Sequence, residues 1–295
     1  MNCAFLSISN TEGWFIDDDL VHPHLQDLGW HVQNIPWDRP VDWNTFDLVI
    51  IRSPWDYQDH LRDFTGVLKQ IEESRAVLLN SLDTVMWNID KKYLFELQGK
   101  GVELVPTVVA RDLTASHITS AFERFSASEL IVKPIIGANA DDTYRITRGA
   151  PLDFESLTAR FQNRECMIQP FMQNIVEEGE YSLMYFQGKL SHTILKTVGE
   201  GDYRVQEEHG GGVIPIENPD ARLTAQASKA MDALGHQPLY ARVDMVRTAQ
   251  NTFALMELEL IEPCLYFRFD KNAAKTFAQC IHGSWHKKKA ARQRR

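Results

Sequence analysis

The chain lacks the pairings that cysteine chemistry needs. Four cysteines, Cys3, Cys166, Cys264 and Cys280, are spread over 295 residues with no Cys-x-x-Cys spacing. That excludes a disulfide framework and a zinc knuckle, and it fits a cytoplasmic, reducing compartment. No apolar run approaches the ~20 residues of a membrane span, so no membrane partner is expected. Residues 1–7 carry no basic leader and are expected to form a first strand rather than a signal peptide. The common catalytic signatures are also missing: no Gly-x-x-x-x-Gly-Lys-Ser/Thr, no Gly-x-Gly-x-x-Gly after a strand, no His-Glu-x-x-His and no Gly-x-Ser-x-Gly. Positive charge is scarce. The formal net charge is −9, and six positive side chains sit in the last nine residues, so the remainder carries −15. An acidic body without clustered Lys and Arg excludes nucleic acid as the main partner. Residues 287–295 read as a disordered basic tail.

What is present is an ordinary globular composition, 44% hydrophobic and 24% charged, long enough for two or three small domains. Over residues 1–80 strand and helix patterns alternate, which predicts a small parallel α/β sheet with helices on both faces. From residue 81 the pattern changes. One helix is expected over residues 81–97, closed by Gly99 and Gly101. Strands follow near 105–110, 130–133, 143–146 and 167–171. The last region combines strands at 180–186 and 190–196, a Gly-rich loop, a helix over 221–234, a hairpin and a helix over 272–281. This part is α+β.

The hairpin carries the most chemistry. Residues 240–246 and 253–261 alternate strictly, as strands with two different faces must. Ala241, Val243 and Met245 share one face with Met256, Leu258 and Leu260 of the second strand. Pairing those faces brings Asp244, Glu257 and Glu259 together beside Arg242, and a one-residue slip would bury the carboxylates. Leu255 and Ile261 fall on the Glu side. Clustered carboxylates repel unless a hard cation sits among them, and oxygen-only ligands suit magnesium better than zinc. An ordinary solvated sheet face is the alternative at this point.

Separately weak motifs stand in one order along the chain. They are Asp90-Lys91 at a helix, Lys133-Pro134 closing an apolar strand, Gln169-Pro-Phe171 ending another, and Gly179-Glu180-Tyr181-Ser182. Arg204 and Gly210-Gly211-Gly212 follow, then Arg242-x-Asp244 and Glu257-x-Glu259. That order resembles the ATP-grasp superfamily, which includes glutathione synthetase, D-alanine–D-alanine ligase and the ribosomal-protein glutamate ligases. Arg52-Ser-Pro-Trp-Asp-Tyr57, Trp87-Asn-x-Asp-Lys91 and Glu257-Leu-Glu-Leu-Ile-Glu-Pro263 look similar to the D-cycloserine-forming cyclo-ligases. The resemblance implies an ATP-grasp fold after a pre-ATP-grasp domain: an N-terminal substrate-side domain over 1–80, a first grasp subdomain over 81–172, a second over 173–286, and the tail.

The function implied by the resemblance is an ATP- and magnesium-dependent carboxylate–amine ligase acting through an acyl phosphate on a small amino-acid-like substrate. A homodimer stays open as its assembly. Lys91 and Lys133 would contact phosphates, with Lys92 the rival of Lys91. Gln169 and Phe171 would lie at the hinge that reads adenine, and Glu180 would accept from the ribose hydroxyls. Asp244, Glu257 and Glu259 would hold the metal, although the family usually has Asn at the last position. Arg242 would stabilise charge on the transferred group. Arg204, before the mobile Gly210-Gly211 loop that closes over substrate, would be a second clamp. Arg52, Trp55 and Tyr57 end a strand where α/β sheets place ligands. Arg52 would pair a substrate carboxylate, the alternative being an edge salt bridge. A phosphotransferase acting on a hydroxyl and a non-catalytic nucleotide-binding module are the competing readings.

Overall fold

The structure, a computed structural model, describes residues 1–293. Its first unit is a parallel sheet of β1 (Asn2–Ser7), β2 (His31–Pro36), β3 (Leu48–Ser53) and β4 (Val77–Leu79), in the order β2-β1-β3-β4. The central strands are continuous apolar runs because parallel sheets are covered on both faces. Helices α1 (His22–Asp27) and α2 (Leu61–Glu73) supply part of that cover. Phe64, Leu68 and Ile71 recur along α2 and pack on Val49 and Ile51.

Where one helix is expected over 81–97 the structure has two, α3 (Leu82–Asn88) and α4 (Tyr93–Gly99). Asp90 lies in the break. Its carboxylate accepts from the Lys92 amide at 2.9 Å, a local bond that competes with helical pairing. The Lys91 amide instead donates to the Ile135 carbonyl at 3.1 Å. The break therefore aims Lys91 away from the helix axis and ties this corner to the second sheet.

That second sheet holds β5 (Val108–Arg111), β6 (Glu129–Pro134), β7 (Tyr144–Thr147) and β8 (Glu165–Pro170), antiparallel in the order β5-β8-β6-β7. Helices α5 (Ala115–Phe125) and α6 (Phe154–Arg160) cover one face through Ile118, Phe122 and Leu157. Its other face looks onto the third sheet, entered through the short helix α7 (Asn174–Glu177). The third sheet contains β9 (Glu180–Phe186), β10 (Lys189–Thr197), β11 (Gly212–Pro215), β12 (Tyr240–Arg247) and β13 (Phe253–Glu259), ordered β11-β10-β9-β12-β13. β11 was not expected; it grows out of the Gly-rich loop and pairs with the end of β10. Helix α8 (Ala221–Asp232) joins α4 in covering the apolar face of β9, β12 and β13.

The hairpin pairs as its alternation requires, with Arg242 opposite Glu259 and Asp244 opposite Glu257. A bulge then intervenes, so that Met245 faces Leu255 and Met256 is the extra residue. This corrects the simple alternation. Leu255 joins the core, whereas Met256 turns to the polar side.

Helix α9 (Ala273–Gln293) packs Phe277, Ile281 and Trp285 between the first sheet, at Phe5 and Ile50, and the third, at Met184 and Phe186. It runs on through residues 287–293, where the sequence reading has a disordered tail. Ala, Lys, Arg and Gln favour helix, and the Lys289 ammonium lies 4.6 Å from the Trp285 ring centre. Residues 294 and 295 lie outside the described residues. Among the described residues no helix is long and apolar enough to cross a membrane.

The segment following β13 is irregular, yet six consecutive carbonyls are each taken by a side chain. Asn80 holds that of Leu260 at 2.8 Å, Tyr240 that of Ile261 at 2.8 Å and Trp55 that of Glu262 at 2.9 Å. Arg52 holds that of Pro263 at 2.9 Å, Arg242 that of Cys264 at 3.3 Å and His192 that of Leu265 at 2.9 Å. Buried backbone without a ladder partner needs such donors. The strap over residues 260–265 thus joins the first and third sheets. Asn80 also donates to the Tyr240 carbonyl and accepts from the Leu239 amide. Asn80→Ala strands three buried groups and is expected to cost about 3 kcal/mol or more at 1–3 kcal/mol per unsatisfied group, read from the midpoint of urea unfolding.

Candidate active site

A cavity lies between the second and third sheets, roofed by the loops at residues 137–143 and 199–211 and by Trp14 and Phe15. Lys91, Lys133, Gln169, Phe171, Glu180, Arg204, Arg242, Asp244, Glu257 and Glu259 line it, as do Trp55 and Tyr57. Three expected residues do not. Arg52 is 1% exposed, donates to Asp18 at 2.8 Å and to the Pro263 carbonyl, and points into the domain junction. Both bonds tie the end of a fully buried strand to its surroundings. Gly210 and Gly211 also stay off the cavity wall. A Cβ on Gly211 would meet the Val205 carbonyl oxygen at 2.3 Å, and Gly210 has φ +81°, so both serve the folding of their own loop.

The floor of the cavity is the polar face of β9, β12 and β13. Arg242 grips Asp244 through Nε and Nη2, the latter at 2.9 Å, and also bonds Glu259. Ser182, opposite Asp244 on β9, donates to the same carboxylate. Burial would raise the Asp244 carboxyl, but Arg242 and Lys196 outweigh it and hold it low. Burial likewise opposes the Arg242 charge, yet Asp244 and Glu259 keep its pKa far above the ordinary value. For Glu259 burial wins over Arg242, helped by repulsion from Asp244 and Glu257, and its pKa is raised.

Of the two rival lysines, Lys91 lines the cavity and Lys92 does not. Lys91 is buried, donates to the Gly137 carbonyl and pairs with Glu257 at 3.0 Å. Lys92 is exposed and pairs with Asp90 and Glu165 instead. Lys133 has no carboxylate within 4.0 Å among the described residues; burial lowers its pKa, with Glu257 the main opposing influence. An ammonium in that setting gains most from an incoming anion. The sequence reading missed Lys196, which is 3% exposed, bonds Glu180 and lies 3.6 Å from Asp244. The signal was positional, since Lys196 sits directly opposite Glu180 across the β9–β10 ladder.

At the far end, Gln169 donates to Thr107 at 2.9 Å, leaving its strand end open to the cavity. Phe171 presents its ring beneath the Arg145 guanidinium at 3.8 Å. Above them Tyr203 donates to the Thr143 carbonyl at 2.8 Å and so closes one roof loop on the other. Arg204 is held by Asp202 in the same loop. Asn139 reaches the Trp55 carbonyl at 3.2 Å, fastening the 137–143 loop to the first domain.

No group of three His, Cys, Asp or Glu residues among the described ones is spaced to bind a metal ion. Asp244, Glu257 and Glu259 are instead neutralised by Arg242 and Lys91. The donor set still fits magnesium: all three side chains offer hard carboxylate oxygens on one wall of the cavity. The carboxylates would have to exchange part of these ion pairs for the metal.

Comparison with known proteins gives a consistent result. Residues 3–80 match the family described as "D-cycloserine synthetase DcsG, N-terminal domain". The cycloserine biosynthesis protein DcsG of Streptomyces lavendulae is 28% identical over 263 residues, covering 83% of this chain and 85% of that protein. The crystal structure of D-cycloserine synthetase DcsG superposes with a TM-score of 0.85 at 26% identity, covering 97% of this chain and all of the other. D-alanine–D-alanine ligase from Bacillus anthracis shares the fold at a TM-score of 0.67 and 13% identity, with 99% of each chain covered. The fold, the two facing sheets with lysines and carboxylates at their interface, and these relatives together show an ATP-grasp fold and an ATP-dependent ligase similar to D-cycloserine synthetase DcsG.

Proposed function

We propose that the enzyme activates the carboxylate of a small amino-acid-like molecule with ATP and passes the acyl group to a nitrogen, in the cytoplasm. The observation that carries this reading is the Arg242–Asp244–Glu257–Glu259 face standing beside Lys91 and Lys133 in one cavity. Lys133 and Lys91 would take phosphate oxygens, and the strand end at Gln169 with Phe171 would hold the base. Glu180, oriented by Lys196, would accept from the sugar hydroxyls. Magnesium held by Asp244, Glu257 and Glu259 would neutralise the terminal phosphates. Arg242 stays charged at any working pH and would stabilise the negative charge that grows as a carboxylate oxygen attacks phosphorus. The roof loops joined by Tyr203 and Thr143 would limit water and so protect an acyl phosphate from hydrolysis. No side-chain nucleophile is needed, because the work is positioning and charge neutralisation. The DcsG relatives favour an acceptor nitrogen within the same molecule.

A screen of D- and L-amino acids and their O-substituted serine derivatives for ATP-dependent phosphate release tests the substrate class. With an ¹⁸O-labelled carboxylate, one label is expected in the released phosphate. Full retention of label in a phosphorylated product would instead establish phosphotransfer to a hydroxyl.

A further inference from the structure

Four carboxylates crowd the end of the cavity nearest the first domain, and three have a cation. Asp244 and Glu259 share Arg242, and Glu257 has Lys91. Glu262 lines the same cavity, yet among the described residues no Lys or Arg stands within 4.0 Å of it. Its position is nonetheless built with care. It sits in the strap, its carbonyl is held by the Trp55 indole at 2.9 Å, and Tyr57 lines the cavity with it. The neighbouring carbonyls of Ile261 and Pro263 are fixed by Tyr240 and Arg52. A carboxylate placed so firmly, with no cation in ion-pair contact among the described residues, is a seat for a cation brought by the substrate. Trp55 and Tyr57 also line the cavity, and aromatic rings are favourable neighbours of an ammonium.

We propose that Glu262 receives the ammonium group of the amino-acid-like substrate and thereby sets its specificity, a reading that rests on the ligase function proposed above. The substrate carboxylate then lies toward Arg242 and the lysines, so a zwitterion finds charges of both signs at the two ends of one pocket. The groups facing Glu262 are Tyr57 from the first domain, Lys91 from the helix break, Glu257 and Glu259 from β13, and Arg242 and Tyr240 from β12. Burial pushes the Glu262 carboxyl up to about 7, partly offset by Tyr57 and Lys91 and reinforced by Glu257. An arriving ammonium reverses that shift, so amino-acid binding should tighten as pH rises toward 7.

The same shift predicts how the variant folds. A carboxyl raised in the folded state favours folding below its unfolded pKa and loses that advantage as pH rises through about 7. Glu262→Gln removes this loss, so above pH 7 the variant should be at least as stable as the parent. The test uses the amino acid giving the fastest ATP-dependent phosphate release and its deamino analogue. Glu262→Gln is expected to raise KM for the amino acid about ten- to a hundredfold, the loss of one charged hydrogen bond. KM for the deamino analogue should stay unchanged, the rise in affinity toward pH 7 should vanish, and Glu262→Asp should recover part of the binding. Magnesium half-saturation should not move. An equal effect on the deamino analogue, or a shift in magnesium dependence like that of Glu257→Gln, would overturn the proposal, the latter by making Glu262 a metal ligand. If deamino acids support phosphate release and amino acids do not, the ammonium seat is wrong while the ligase reading stands. If no carboxylate supports release, the ligase reading itself fails.

Discussion

Arg242→Lys is expected to lower turnover about a hundred- to a thousandfold, the usual loss when one donor aimed at developing charge is removed. Arg242 uses its planar fork on Asp244, bonds Glu259 and still reaches the Cys264 carbonyl. Lysine keeps the positive charge over the carboxylates, so the sheet should stay folded, but it cannot span these partners at once. The consequence falls on kcat in the phosphate-release assay, while nucleotide affinity, for which Lys91 and Lys133 are the proposed donors, should change far less. Thermal denaturation of the variant provides the control for folding. Near-normal kcat in a folded Arg242→Lys enzyme would transfer the charge-stabilising role to Arg204.

Arg52→Met is expected to cost about 3–5 kcal/mol of folding stability, the range for stranding a buried charge. Asp18 is 5% exposed and Arg52 is its only ion-pair partner among the described residues. The Pro263 carbonyl would also lose its donor. Adding Asp18→Asn to the same background removes the stranded charge and should recover much of the loss, so the two changes will be strongly non-additive in a double-mutant cycle. Urea unfolding of the four proteins measures it. A stable Arg52→Met with a tenfold higher KM for the organic substrate would restore the residue to the binding site.

Legibility in the sequence followed periodicity. The strict alternation of residues 240–246 and 253–261 was enough to place Arg242, Asp244, Glu257 and Glu259 on one face, because a slip would bury three carboxylates. The bulge at Met256 was not readable, since an extra residue in a ladder shows only against its partner strand. Lys133 and Glu180 could be assigned through the order of motifs, whereas Lys196 could not, because its meaning lies in the residue across the sheet. Arg52 illustrates the opposite limit. An arginine at the end of a strand has the same signature whether it meets a ligand or a buried aspartate, and Asp18 lies 34 residues away. The helix break at 89–92 turns on a single Asx bond, too local a contest for periodicity to register.

The three local phrases around Arg52, Asn88 and Glu257 are partners in space. Arg52 and Trp55 hold the strap, and Asn88 bonds both Leu258 and Leu260. With Asn80 and Tyr240 they weld the first and third sheets into one stiff jaw. The second sheet meets that jaw through a thinner set of contacts, among them the bond from the Lys91 amide to the Ile135 carbonyl at the end of β6. Compliance is therefore expected to be unequal: the second sheet and its roof loop are the parts with room to swing, while the end of the cavity at the strap is expected to keep its shape. Such an anvil would let the enzyme choose its amino acid before the nucleotide side has closed.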